Sequence, residues 1–237
     1  MRSVHIASAY EEELKYLEKR IAAMGGHAER MVEQAVAALV GADAGLAQKV
    51  IRDDKILDEG ERDIDDKAII IIARRQPMAK DLREIVGAIR ISADLERVGD
   101  LAKSVAKRVV AVADGGQPPS LYRGLESLAE LALAQLKQVL DVYASRQIDT
   151  IGFVRDRDVQ IDAMYTSLFR GLLTYMMEDP RNITPCTHLL FCAKNIERIG
   201  DHATNIAETI YYIVTGAQMP AERPKSDTTD RIGNQQG

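Results

Sequence analysis

The sequence predicts an all-α protein of six long helices, arranged as two tandem, sequence-related three-helix bundles. Three observations carry that reading. Only 5% of the 237 residues are aromatic, while Ala, Leu, Ile and Val dominate a hydrophobic content of 46%, ample for a packed core. Apolar positions recur at intervals of three and four over segments much longer than a strand. Finally, the pentapeptide Glu96-Arg97-Val98-Gly99-Asp100 returns as Glu197-Arg198-Ile199-Gly200-Asp201, each copy near the middle of such a segment.

Helix one is expected from about Ala7 to Val40, with a kink at Gly25-Gly26 because paired glycines weaken a helix locally. Helix two follows from Ala44 to Arg75 and helix three from Lys80 to Ala113, with Pro77 in the turn between them. The stretch Asp114-Gly115-Gly116-Gln117-Pro118-Pro119-Ser120 is the only internal one with both paired glycines and paired prolines, and it marks a boundary. A first bundle therefore occupies residues 1–114, a linker 115–120 and a second bundle 121–216. Within the second, helix four spans Leu121 to Ser145, helix five about Thr150 to Met177, and helix six Thr184 to Thr215. The polar stretch 217–237, with two prolines and little to bury, is expected to be a disordered tail.

Lys plus Arg number 31 against 36 Asp plus Glu, a net charge of −5, with no long basic run and no Trp. That disfavours a nucleic-acid partner. Cys186 and Cys192 lie six residues apart on one expected helix, point in different directions and cannot easily bridge, which predicts a reduced, cytoplasmic chain. The N-terminal region is polar and acidic from Tyr10 to Glu18, unlike a signal peptide. Purely apolar runs such as Ala68 to Ala73 are far too short to span a bilayer. Membrane association is expected only through a partner.

The pentapeptide is costly for a helix. Its Glu and Asp stand one above the other on one face, where like charges cost roughly 0.2–0.5 kcal/mol, and an internal glycine costs about another 0.8–1 kcal/mol. The repeat extends further. A shift of 101 residues also superposes Ala102 and Ala106 on Ala203 and Ala207, and a shift of 104 carries Asp54 and Asp58 onto Asp158 and Asp162. Asp58 and Glu96 are equidistant from Pro77, as are Asp54 and Asp100. Likewise Asp162 with Glu197, and Asp158 with Asp201, share a midpoint between Asp179 and Pro180. Antiparallel helices joined by a tight turn place equidistant residues side by side, so each hairpin is expected to gather four carboxylates at one level.

Four such groups repel one another and raise each other's pKa values unless cations are present. With oxygen ligands alone, magnesium, manganese, calcium or ferric iron suit the site, and zinc or nickel remain open. Asn205, four residues after Asp201, is a further candidate oxygen ligand. The competing reading pairs these acids with Arg52, Arg97, Arg155 and Arg198 on solvated faces. His202 is turned about 100° away from Asp201 around the helix, and His188 and the cysteines read as core or boundary residues. There is no Walker-type phosphate loop, nucleophile elbow or zinc-protease His pair, and no histidine has a Glu three residues before it, as a ferritin-like di-iron site requires.

The segments Asp94-Leu95-Glu96-Arg97-Val98-Gly99-Asp100 and Asn195-Ile196-Glu197-Arg198-Ile199-Gly200-Asp201-His202-Ala203-Thr204-Asn205-Ile206-Ala207-Glu208 resemble the twin signatures of the PhoU family. The resemblance covers about Ala7 to Gly216. It implies two three-helix bundles that bind metal clusters of iron, zinc, manganese or magnesium through Glu/Asp-x-x-x-Asp motifs: Asp54 with Asp58, Glu96 with Asp100, Asp158 with Asp162, and Glu197 with Asp201. It further implies a cytoplasmic, non-enzymatic and often homodimeric adaptor between the ATPase subunit of the phosphate ABC transporter and a sensor histidine kinase. Such an adaptor restrains phosphate uptake and holds the phosphate-starvation response off when phosphate is plentiful. One departure is that Leu101, Lys103 and Ser104 stand opposite His202, Thr204 and Asn205, which implies fewer ligands or a different ion in the first cluster. The alternatives in function are a metal-dependent phosphoesterase or oxidase, or a regulator of a different phosphate carrier.

Overall fold

A computed structural model describes residues 2–112 and 119–220. Its long elements are α1 (Arg2–Val40), α2 (Ala44–Asp53), α3 (Lys55–Arg75), α4 (Lys80–Val112), α5 (Pro119–Ser145), α6 (Phe153–Glu178) and α7 (Ile183–Thr215). Single 3-10 turns at Ile148–Thr150 and Pro180–Asn182 precede α6 and α7. Among the described residues there is no strand. The expected linker, apart from its last residues, and the expected tail beyond Pro220 lie outside the described residues.

Helix boundaries follow local chemistry. Asp43 caps α2 by accepting from the Leu46 backbone N–H at 2.9 Å, which satisfies one of the donors a helix start leaves free. Gln76 closes α3 in the left-handed conformation, φ 49°, and Pro77 then prevents the helix from resuming until α4. Gly216 ends α7 at φ 75°, where a side chain would be strained.

The expected second helix is interrupted once, at Asp54. The His27 ring on α1 hydrogen-bonds the Asp53 carbonyl at 3.1 Å. The Leu57 N–H, whose helical partner is that carbonyl, bonds instead to the Asp54 carbonyl at 2.9 Å. A side chain inserted into the ladder is a common cause of such a break. The kink expected at Gly25-Gly26 does not interrupt α1, which is helical throughout. Gly25 provides room instead: a Cβ there would come within 2.7 Å of the Leu140 side chain on α5.

Helices α1, α2/α3 and α4 form one bundle, and α5, α6 and α7 the other. The two share a seam. Helix α4 packs along α7 and α1 packs along α5, while α2/α3 and α6 cover the outer sides. Buried side chains from both halves belong to one continuous core, running from Leu17, Ile21 and Leu57 through Ile91 and Leu95 to Leu136, Ile161 and Ile206. Along the seam, a Cβ on Gly87 of α4 would collide with Ile213 of α7. Arg108 meets His188 Nδ1 at 3.2 Å and Asp94 meets His202 Nδ1 at 2.9 Å. No described helix is long and apolar enough to cross a membrane.

Candidate functional site

The first quartet forms where the α2–α3 junction meets the middle of α4. Asp54 is 4% exposed; Asp58, Glu96 and Asp100 are half-buried around it. The approach depends on Gly99, because a Cβ there would strike the Leu57 side chain and lie 3.7 Å from Asp54 Oδ1. The ammonium of Lys103 donates to Asp54 Oδ2 and reaches Asp100 Oδ1 at 3.5 Å. Arg97 lies 3.1 Å from Asp100 Oδ2 and 3.5 Å from Glu96 Oε2.

Burial raises the pKa of Asp54; the Lys103 hydrogen bond opposes that shift, and repulsion from Asp58 and Asp100 adds to it. Burial, reinforced by Asp100, pushes Glu96 up to about 7, with Glu61 contributing further repulsion. In both, burial is the larger cause and the neighbouring carboxylates add to it.

The second quartet lies between α6 and α7. Asp158, Asp162 and Glu197 are buried and Asp201 is half-buried. Gly200 repeats the role of Gly99: a Cβ would sit 2.9 Å from Ile161 Cδ1 and 3.1 Å from Gln135 Oε1. Glu197 Oε1 accepts from Lys194 at 2.8 Å, while its Oε2 is buried with no hydrogen-bond partner. Burial pushes Glu197 up to about 7, with Lys194 opposing and Asp201 and Asp162 adding repulsion. Asp158 accepts from the Thr204 hydroxyl at 3.1 Å, and that hydroxyl accepts from Gln135 Nε2 at 3.1 Å.

The structure thus gathers each expected set around its own hairpin, with lysines among the carboxylates. Among the described residues, no three His, Cys, Asp or Glu side chains converge as a ready metal cage. Asn205 stands apart: its amide donates at 3.4 Å to Asp94, the acid that His202 also contacts. It therefore faces α4 across the seam, in a cleft of about 900 Å³ lined by Arg90, Asp94, Arg155, Asp158 and Glu208. Of the arginines proposed as partners, Arg97 has that role, while Arg155 donates to the Pro220 carbonyl. Lys103 and Lys194 were legible in principle, each being three residues from the acid it meets on its own helix. Gln135 carried no such signal, because no turn sets the register of α5 against α7.

The PhoU domain model matches twice, over residues 21–109 and 125–210. The chain belongs to the PhoU family. The two PhoU matches correspond to the two bundles and contain all four acidic pairs. A relative from Rhizobium meliloti strain 1021, named a phosphate-specific transport system accessory protein PhoU homolog, is 70% identical over 234 residues, 99% of each chain. A Caulobacter vibrioides protein of the same name is 46% identical, covering 94% of this chain and 97% of its own. Among solved structures, PhoU from Pseudomonas aeruginosa superposes with a TM-score of 0.84 at 39% identity, covering 88% of this chain and all of that one. The phosphate transport system regulatory protein PhoU from Streptococcus pneumoniae gives 0.82 at 26% identity, covering 89% and 99%.

Proposed function

We propose that this protein is a cytoplasmic, non-enzymatic accessory regulator of phosphate uptake. It links the ATPase subunit of the phosphate ABC transporter to a sensor histidine kinase and holds the phosphate-starvation response off when phosphate is abundant. Full-length similarity to proteins named phosphate-specific transport system accessory proteins is the observation that carries this reading. The adaptor acts as a homodimer and reaches the membrane only through its partners.

The carboxylate quartets are the element of this function that a metal ion serves. Their donor chemistry fits a hard cation: Asp54, Asp58, Glu96 and Asp100 in one half, Asp158, Asp162, Glu197 and Asp201 in the other, all offering oxygen. Glu197 Oε2, buried and without a partner, is the atom most in need of positive charge. A bound cation would supply that charge. The chain's own residues do the remainder: Gly99 and Gly200 let the paired helices close, and Lys103 and Lys194 offset part of the repulsion among the acids.

The test is a Glu197→Ala/Asp201→Ala variant in cells grown with ample phosphate. The expected outcome is loss of bound metal together with expression of a phosphate-starvation reporter. Full repression by a variant shown to have lost its metal would remove the metal from the mechanism while leaving the adaptor role in place.

A further inference from the structure

Gln135 on α5 is fully buried. The shift of 104 residues that relates Asp54 and Asp58 to Asp158 and Asp162 carries it onto Met31, which is 2% exposed. One half thus fills this core position with an apolar side chain of similar length, so the fold itself does not require an amide there. Burying an amide costs free energy unless its polar atoms are hydrogen-bonded.

Only one end of this amide is bonded. Gln135 Nε2 donates to the Val154 carbonyl on α6 and to the Thr204 hydroxyl on α7, each at 3.1 Å. A carbonyl can only accept, which fixes the end of the amide that faces it. Oε1 is turned toward Gly200, 3.1 Å from where a Cβ would stand, and has no hydrogen-bond partner. Glu197, Gly200, Asp201 and Thr204 share one face of α7 by their spacing, and on that face Glu197 Oε2 is likewise buried and unpartnered. Thr204 passes the contact on. It accepts from Gln135, and its own proton has Asp158 Oδ1 at 3.1 Å and the Gly200 carbonyl at 3.2 Å as acceptors.

We infer that Gln135 is a positioning residue of the second metal site and acts through both ends of its amide. Oε1 accepts from the hydration water of the bound cation, and Nε2 holds the Thr204 hydroxyl toward Asp158. The inference rests on the metal-binding reading given above. A hard cation such as magnesium usually keeps several waters when carboxylates bind it. That water brings the O–H donor that Oε1 lacks, as the cation brings the charge that Glu197 Oε2 lacks. Groups that orient the ligands from behind are typically worth about 10–100-fold in metal affinity. Met31 offers the first half neither a donor nor such an acceptor.

The experiment titrates full-length, chelator-treated protein with Mn(II), follows the free ion by electron paramagnetic resonance, and measures Tm with and without metal. Wild type is expected to bind manganese that Glu197→Gln loses, which defines the site. Gln135→Met, the side chain the other half uses, is expected to match or exceed wild type in metal-free Tm and to bind at that site about 10–100-fold more weakly. Thr204→Val, which removes the hydroxyl at nearly constant shape, is expected to weaken the same site by less, because Oε1 stays in place. A folded Gln135→Met that binds as tightly as wild type overturns the inference and leaves the metal reading intact. So does an affinity loss accompanied in both variants by a metal-free Tm below wild type, which marks a packing role. If Gln135→Met does not fold, Thr204→Val decides alone, and unchanged affinity there overturns the inference. Manganese bound equally by wild type and Glu197→Gln, or by neither, overturns the metal reading of this site itself.

Discussion

Glu197 carries the clearest consequence of burial at the scale of a single residue. Its carboxyl is pushed up to about 7 from 4.5, chiefly by loss of solvent. A carboxyl that holds its proton more tightly when folded contributes stability that is fully present below pH 4.5 and is lost as pH rises through 7. In metal-free protein the wild type is therefore expected to lose, relative to Glu197→Gln, on the order of 3 kcal/mol between pH 4.5 and 8. Urea unfolding of both proteins at the two pH values measures it, and an unchanged difference would show that Lys194 neutralises the group. Burial acts on the cysteines in the same sense: Cys192 is pushed up to about 12, and Cys186 is also raised. Because the thiolate is the nucleophile, iodoacetamide at pH 8 is expected to leave both thiols untouched in the native protein and to label both in urea.

Glycine at the scale of the helix shows how the same residue type has opposite consequences in different surroundings. On helix propensity alone, Ala for Gly stabilises by about 0.8–1 kcal/mol. A methyl group added at Gly171 on α6 would have nothing within 4 Å, so Gly171→Ala is expected to gain most of that. At Gly99 the methyl meets Leu57, itself fully buried. Overpacking of this kind costs about 1–3 kcal/mol, and Gly99→Ala is expected to be less stable than wild type. Chemical denaturation of the two variants side by side decides the matter; a stabilised Gly99→Ala would mean that Leu57 has another rotamer available. The helices themselves were legible because each carries its own period and its own stop: Gly216 after α7, Pro77 after α3. The break at Asp54 was not, since its cause is His27 on a different helix. The glycines at 99 and 200 were legible as a duplicated cost to the helix, but Leu57 and Ile161, the side chains that fill the space beside them, were not.

At the scale of the whole molecule, the equidistance argument reaches residues joined by a hairpin and stops there. It brought Asp54 to Asp100 and Asp162 to Glu197, because the turns at Pro77 and Pro180 set those registers. It could say nothing of α4 against α7, whose pairing is set by side chains meeting across the seam. Asn205 shows the limit: same-face spacing pointed it toward Asp201, and its amide donates to Asp94 of the other half instead. Tandem repeats suggest two independent bundles, but the core is shared. Arg146, just after α5, adds a clamp, reaching Glu84 on α4 at 2.8 Å and Glu18 on α1 at 3.1 Å. Splitting the chain between the halves would therefore expose apolar faces of α1, α4, α5 and α7 that each half has buried against the other, and apolar burial is worth about 25 cal/mol per Å². A protease site placed between residues 112 and 119 tests this directly. After cleavage the halves are expected to elute together from a sizing column without denaturant, and the intact chain to unfold in a single urea transition. Arg146→Ala and Gly87→Ala, which disturb the clamp and the seam, are expected to shift that transition to lower urea without splitting it. Two stable half-molecules separating after cleavage would show instead that each bundle folds alone and that the seam is only a docking contact.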